Sequence, residues 1–342
     1  MADLVMGTID DKTAWRGGDF TTPRSWVRAI RPAMADEIVA ATKAVTGLDY
    51  WTLTPELFPL PLTEPLLAET RDDLETGRGF TVLSGFPVER LSLEEARRAY
   101  AGLCSYWGHA IVQNGASERM VDVTDIGREY SHRSRGYSGT ALLPFHTDGT
   151  KGEPEILHYT GLLCLETAQE GGLSAIASAT ALYNEIAALR PDLMPTLIRG
   201  YHHHRQGDHP PDHAPISAER IPVFSFNQDL LYCRFNRNNM EWAANEGVAL
   251  SETDREALEL VDEIVARPGF ALSMDLRKGD LQIINNCVIL HSRTDYVDGP
   301  GQKRHLLRLW LNNPEARRDG HRLVELFALP DSRFSDEPWR AA

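Results

Sequence analysis

Two stretches of this chain close an apolar run on a histidine. LLPFHTDGT (142–150) sets His146 and Asp148 two residues apart. INNCVILHSRT (284–294) runs through Asn285 and Asn286 to His291. Strand side chains at i and i+2 share a face, so an extended LLPFHTD would turn His146 and Asp148 one way and Thr147 the other. A His nitrogen and a carboxylate oxygen on one face can share a metal ion. Alone, His-x-Asp is a weak pattern, because such triplets recur by chance. Two histidines and one carboxylate, with positions left open on the metal, form the facial triad of non-haem Fe(II) oxygenases.

A third stretch adds a different chemistry. RHLLRLWL (304–311), read as a strand, puts Arg304, Leu306, Arg308 and Trp310 on one face and His305, Leu307, Leu309 and Leu311 on the other. Both faces are mostly apolar, which predicts burial. Two arginines on one buried face need anionic partners, since an unpaired buried guanidinium is costly. A carboxylate gripped by arginine is one solution, and a pair of internal salt bridges is the other.

The elements that must carry these residues are mostly strands. The first hundred residues mix helix and strand. Residues 33–47 and 64–79 have helical spacing and end at glycine, and GFTVLSGF (79–86) reads as a short buried strand. SLEEARRAYAGLCSYWG (92–108) is the clearest helix, with Ser92 and Glu95 as a capping box and Gly108 as a stop. From about residue 109, short apolar or alternating runs follow one another, separated by Gly, Pro, Asn or Asp. Helical insertions interrupt them at 180–193 and at 251–269, the second N-capped by Ser251. Many short strands with few helices point to a sandwich or barrel rather than to βαβ alternation. Residues 199–215 lack periodicity and read as a long loop suited to covering a substrate. Its His202, His203 and His204 are a poor metal site, because consecutive extended residues point alternately. His158 reads as a strand histidine with a local partner. Asn114, at a strand end, reads as a turn residue or a substrate contact.

Length and composition narrow the classes. The 342 residues are 42% apolar and 25% charged, enough for a large core. A net charge of -14 argues against a nucleic-acid partner. No run of about 18 apolar residues predicts a membrane span. The acidic N-terminus lacks the order of a signal peptide, and Cys104, Cys164, Cys233 and Cys287 form no CxxC pair. The expectation is a cytoplasmic protein with reduced thiols, no membrane partner and an undetermined oligomeric state.

The order of these motifs resembles the Fe(II)/2-oxoglutarate-dependent oxygenases of the taurine dioxygenase (TauD/TfdA-like) family. LPFHTD, GGLSAIAS, KGDLQIINNCVILHSRT and KRHLLRLWL carry the resemblance, over roughly residues 80–312. It implies an α+β chain, mainly β with helical insertions, built on a double-stranded β-helix (a jelly roll of the clavaminate synthase-like kind). One oxygenase domain would span 1–342: a mixed N-terminal part (1–108), the jelly-roll core (109–312) and a C-terminal tail (313–342). His146, Asp148 and His291 would ligate Fe(II). Arg304 would bind the distal carboxylate of 2-oxoglutarate with help from Ser174, and Arg308 and Asn114 would meet the substrate. An exchange of roles between Arg304 and Arg308 also fits the spacing. Related halogenases replace the carboxylate ligand with a small residue, so Asp148 favours oxygenation. With O2, the expected reaction oxidises an unactivated C–H bond of a small anionic or amino-acid-like substrate, most simply by hydroxylation, and releases succinate and CO2. The competing readings are a non-catalytic jelly-roll binding or sensor protein and a zinc hydrolase.

Overall fold

The RHLLRLWL run forms the eight-residue strand His305–Asn312, which pairs along its length with the equally long Tyr159–Glu166. The computed structural model describes residues 7–132, 136–149, 156–209, 213–227 and 229–318. Seven strands make the larger sheet. Its order is Val27–Ala29, Phe80–Ser84, Leu281–Asn285, Tyr159–Glu166, His305–Asn312 and His109–Ala110, with Met120–Val123 also paired to His305–Asn312. The smaller sheet runs Leu272–Met274, Ser174–Ser178, Ile289–Arg293, Leu143–His146. Phe80, Val82, Ile284 and Leu306 of the larger sheet share a buried cluster with Ile176, Leu272, Met274 and Ile289 of the smaller. Two sheets, antiparallel except for the parallel pair Val27–Ala29 and Phe80–Ser84, joined through one apolar layer are the jelly-roll architecture that the strand-rich pattern predicts.

The alternation of RHLLRLWL decides what covers each side. Leu307, Leu309 and Leu311 pack with Ile38, Leu67, Leu74 and Leu103 from the helices Pro32–Ala44, Glu64–Glu75 and Leu93–Cys104. Those helices form where the sequence places apolar residues at helical spacing, as in Leu66, Leu67 and Leu74. A second set, including Ala179–Leu189 and Glu252–Val265, buries Leu182, Leu258 and Val261 against Phe224 and Leu290. No helix among the described residues is long and apolar enough to cross a membrane. All four cysteines are buried and free.

The expected capping box at Ser92 is present, and the expected N-cap at Ser251 is part of a second box. Ser92 accepts from the Glu95 amide while the Glu95 carboxylate takes the Ser92 amide, and Ser251 and Asp254 do the same. Ser92→Ala should therefore cost roughly 0.5–1 kcal/mol, near the low end for caps because the pair is exposed, and lower the urea midpoint accordingly.

Three features differ from the sequence expectation. The sheet takes two strands from before residue 109, since Phe80–Ser84 pairs with both Val27–Ala29 and Leu281–Asn285. HAIVQN supplies only a two-residue strand, His109–Ala110, before the chain turns aside. A further insertion helix, Arg237–Asn245, stands where no helix was expected. It is short and starts from Asn236, whose side chain caps the Asn239 amide. Nine residues hold too little apolar pattern to stand out against the neighbouring polar run.

Candidate metal centre

Antiparallel register brings the two histidines together. His291 on Ile289–Arg293 lies directly opposite His146 on Leu143–His146, with their ring centroids 4.3 Å apart. The strand stops at His146 and does not run on through Thr147. Beyond it the chain is held extended by other means. Thr147 donates its amide to the Phe235 carbonyl and its hydroxyl accepts from the Phe235 amide. Asp148 exchanges two hydrogen bonds with the Asn286 side chain, at 2.9 and 3.0 Å. Gly149 follows at φ +67°, a left-handed conformation that glycine adopts without steric cost, and turns the chain away. Thr147 therefore points into the fold while Asp148 joins His146 and His291, as the i, i+2 reading expects.

The three side chains form a set that can hold a metal ion, with ligand atoms all within 4.8 Å of one another. Asp148 Oδ1 lies 3.7 Å from His146 Nε2, and Asp148 Oδ2 lies 3.8 Å from His291 Nε2. His146 Nδ1 is 2.8 Å from the Pro144 carbonyl, which favours the tautomer that leaves Nε2 free to ligate. Burial, and then the neighbouring His146, push His291 down to about 3, so it is the neutral imidazole that a metal requires. For Asp148, burial acts upward, but Arg308, His291 and His146 outweigh it and hold the carboxyl well below the usual range. A buried carboxylate between two imidazole nitrogens, with a cationic neighbour, fits a divalent ion of the oxygenase kind.

The surroundings of Asp148 are as specific as the ligands. Trp310 Nε1 donates to Oδ2 at 2.8 Å, and Arg308 Nη1 lies 3.3 Å from Oδ1. Arg308 is packed between the Tyr137 and Trp310 rings, and its Nε donates to Gln113 at 2.8 Å. Trp310→Phe keeps the ring but removes the donor. Iron affinity should fall roughly 10- to 100-fold, the usual cost of losing an outer partner of a ligand, as read by anaerobic metal titration.

One pocket is lined by His146, Asp148, His291, Ser174, Arg304 and Arg308. Arg304 is 5% exposed, and its Nη1 has no hydrogen-bond partner. Its backbone amide donates to Asp298, and its guanidinium stacks on Tyr296 at 5.2 Å. Gly172, at φ +71°, makes room for it: a Cβ there would meet Arg304 Nε at 2.9 Å. Burial lowers the Arg304 pKa. Among the described residues no carboxylate pairs with this guanidinium, which leaves it ready for an anion.

The two expected substrate contacts are engaged with protein partners. Asn114 is not among the pocket residues. It bonds within its own turn, accepting from the Ala116 and Glu118 amides and donating to the Glu118 carboxylate. Arg308 does line the pocket, but it is not a free substrate anchor, because it is bonded to Asp148 and Gln113. His158 lies just before the strand Tyr159–Glu166, and its partners are distant in sequence rather than local: the Arg318 carbonyl and the Asn313 amide. His202 bonds the Ser217 carbonyl and His204 faces Glu246 and His132; neither joins the metal set. Residues 210–212 of the 199–215 stretch lie outside the described residues, but Gln206 from that stretch reaches the pocket. Sequence reasoning missed Gln206, Arg293, and the helix-start residues Asn236 and Asn238. For Arg293 a signal was present, since it stands two residues beyond His291 on the same strand.

Comparison with known proteins gives the same assignment. The family described as "Taurine catabolism dioxygenase TauD, TfdA family" matches residues 45–310. FR-33289 synthase of Streptomyces rubellomurinus is 30% identical over 328 residues, covering 93% of this chain and 94% of that protein. A taurine hydroxylase-like protein, SAT17, of Stachybotrys chartarum is 30% identical over 323 residues, covering 89% and 80%. Among solved structures, an asparagine oxygenase in complex with Fe(II), 3-hydroxyasparagine and succinate aligns at TM-score 0.63 and 18% identity, over 89% of this chain and 99% of that one. The non-haem iron oxygenase OrfP, in complex with Fe and α-ketoglutaric acid, aligns at 0.61 and 16%, again over 89% and 99%. With the jelly roll, the His-Asp-His set and this match along most of its length, the chain belongs to the TauD/TfdA family of non-haem iron, 2-oxoglutarate-dependent dioxygenases.

Proposed function

We propose that His146, Asp148 and His291 hold Fe(II), that Arg304 and Ser174 bind the distal carboxylate of 2-oxoglutarate, and that the chain hydroxylates a C–H bond of a small anionic or amino-acid-like substrate. The observation that carries this reading is the unpartnered, buried Arg304 Nη1 in the same pocket as the three ligand residues. The overall reaction balances as 2-oxoglutarate, O2 and R–H giving succinate, CO2 and R–OH. Bound iron supplies the activation of O2 coupled to decarboxylation of the 2-oxo acid.

The rest is the work of this chain's residues. Pro144 and Trp310 orient two of the ligands. Arg308 balances the Asp148 carboxylate and keeps it ionised. Arg304, seated over Gly172, fixes the far end of the 2-oxo acid, which turns its reactive end toward the ligand set. Val123, Leu162 and Leu306 wall the pocket with apolar surface that limits water. Tyr130, Gln206, Asn236 and Asn238 supply the polar groups at which an amino-acid-like substrate would be recognised. The names of the relatives support both parts of this reading, since they include a hydroxylase-like protein and an oxygenase with a hydroxylated amino acid bound. We further propose that the chain works as one domain in a reducing, cytoplasmic compartment, which its four buried free thiols support.

A zinc hydrolase could use the same three ligands but would give the buried Arg304 no anion. The test is succinate formation from 2-oxoglutarate with Fe(II) and ascorbate, screened across small anionic and amino-acid metabolites with product mass measured. A substrate-stimulated gain of one oxygen supports the proposal. Binding of iron and 2-oxoglutarate without stimulation by any of them would favour a sensor, and zinc-dependent hydrolysis without succinate would favour the hydrolase.

A further inference from the structure

The pocket contains a second guanidinium in the same unsatisfied state as Arg304. Arg293 is also 5% exposed, and its Nη1 likewise has no hydrogen-bond partner. Its other nitrogens are committed. Nε donates to the Thr294 carbonyl at 3.2 Å, and Nη2 donates to the carbonyls of Gly139, at 3.0 Å, and Ala141. The side chain is thus immobilised with both N–H groups of Nη1 left over. Asp148 is the only carboxylate among the described residues lining the pocket, and it faces Arg308, Trp310 and the two histidines. Neither Arg293 nor Arg304 makes an ion pair within the described residues. Two buried cations near one another, each with an unused donor, are costly until an anion joins them.

The geometry places Arg293 beside Ser174 and Arg304. Its strand partner in register is Ser174. Its guanidinium stacks on Tyr296 at 4.8 Å, the same ring that Arg304 covers at 5.2 Å. A carboxylate offers about four acceptor sites, so one can take the Ser174 hydroxyl and both guanidinia together. We propose that Arg293 is a second binding residue for the distal carboxylate of the 2-oxo acid, acting beside Arg304. The inference rests on the assignment of that carboxylate to Arg304. It predicts a site that distinguishes a dicarboxylic 2-oxo acid from a monocarboxylic one more sharply than a single arginine would.

The test is calorimetric titration of Mn(II)-loaded protein with 2-oxoglutarate and with 2-oxobutyrate, which lacks the distal carboxylate. Arg293→Met should weaken 2-oxoglutarate roughly 10- to 100-fold, the usual worth of a hydrogen bond to a charged group, and leave 2-oxobutyrate within about twofold. Arg293→Lys keeps the charge without the fork and should fall between parent and Arg293→Met. It also carries the test if the methionine variant does not fold. An unchanged 2-oxoglutarate affinity with a lowered melting temperature would reduce Arg293 to a tie for the 139–141 segment and overturn the proposal. Equal weakening of both acids would overturn it too, as would a raised KM for the oxidised substrate with 2-oxoglutarate binding intact. Arg304→Met separates the two readings. If it abolishes the preference for 2-oxoglutarate and Arg293→Met does not, only the present inference fails. If neither variant changes 2-oxoglutarate binding, the Arg304 assignment fails with it.

Discussion

Asp148→Ala is expected to abolish iron-dependent succinate formation and to weaken the fold, whereas His146→Ala should do only the first. Both remove a ligand, and loss of a ligand should exceed the ~10- to 100-fold cost of losing an outer partner. The difference lies in what each leaves behind. His146 is partly exposed at the pocket, and its ring Nδ1 bonds the Pro144 carbonyl. Asp148 is 6% exposed and is the counter-charge for Arg308, which is 9% exposed. Removing the carboxylate strands that guanidinium, and a broken buried pair typically costs about 3–5 kcal/mol. Asp148→Asn keeps an acceptor for Trp310 and should lose less stability while still losing turnover. Succinate assays paired with thermal unfolding separate these cases. Turnover retained in both alanine variants would remove the ligand assignment.

The second large effect has opposite signs in the free and bound protein. Arg304→Met deletes a buried cation whose Nη1 is unsatisfied, and it keeps most of the side chain's bulk over Tyr296. Without ligand the variant should be as stable as the parent or about 1 kcal/mol more so, because replacing a buried charge by an apolar group is often neutral or favourable. With 2-oxoglutarate the order reverses. Truncating one partner of a buried, hydrogen-bonded charge pair costs about 2–5 kcal/mol of binding. At a ligand concentration near 100 times the parent Kd, the parent gains about 2.7 kcal/mol of stability that the variant does not share. Melting curves with and without 2-oxoglutarate read both signs in one experiment. A variant that melts early in both conditions would make Arg304 a structural residue instead.

The contrast between Arg304 and Arg308 shows how local neighbours separate residues that strand periodicity treats alike. Both lie on one face of RHLLRLWL and both are buried. Arg308 reaches Asp148 and Gln113 and becomes part of the metal centre's support. Arg304, four residues earlier, reaches Gly172, Tyr296 and open pocket. Spacing could not choose between their roles, because the choice depends on what the neighbouring strands put opposite each one.

Much of this protein was legible in its residues because strand periodicity is local. Alternation assigned Leu307, Leu309 and Leu311 to one side and Arg304, Arg308 and Trp310 to the other, and the i, i+2 rule turned Asp148 with His146 and Thr147 away. The capping box at Ser92 and the N-cap at Ser251 were legible for the same reason, since each is set within a single turn. Register between strands is not local. Only the folded sheets decided that His291 lies opposite His146, that Ser174 lies opposite Arg293, and that Asn286 clamps Asp148 from 138 residues away. Asn114 shows the limit from the other side: its position before the motif suggested the pocket, but its turn satisfies it where it stands. The residue types proposed the chemistry, and tertiary packing decided which of them were left with unsatisfied groups to perform it.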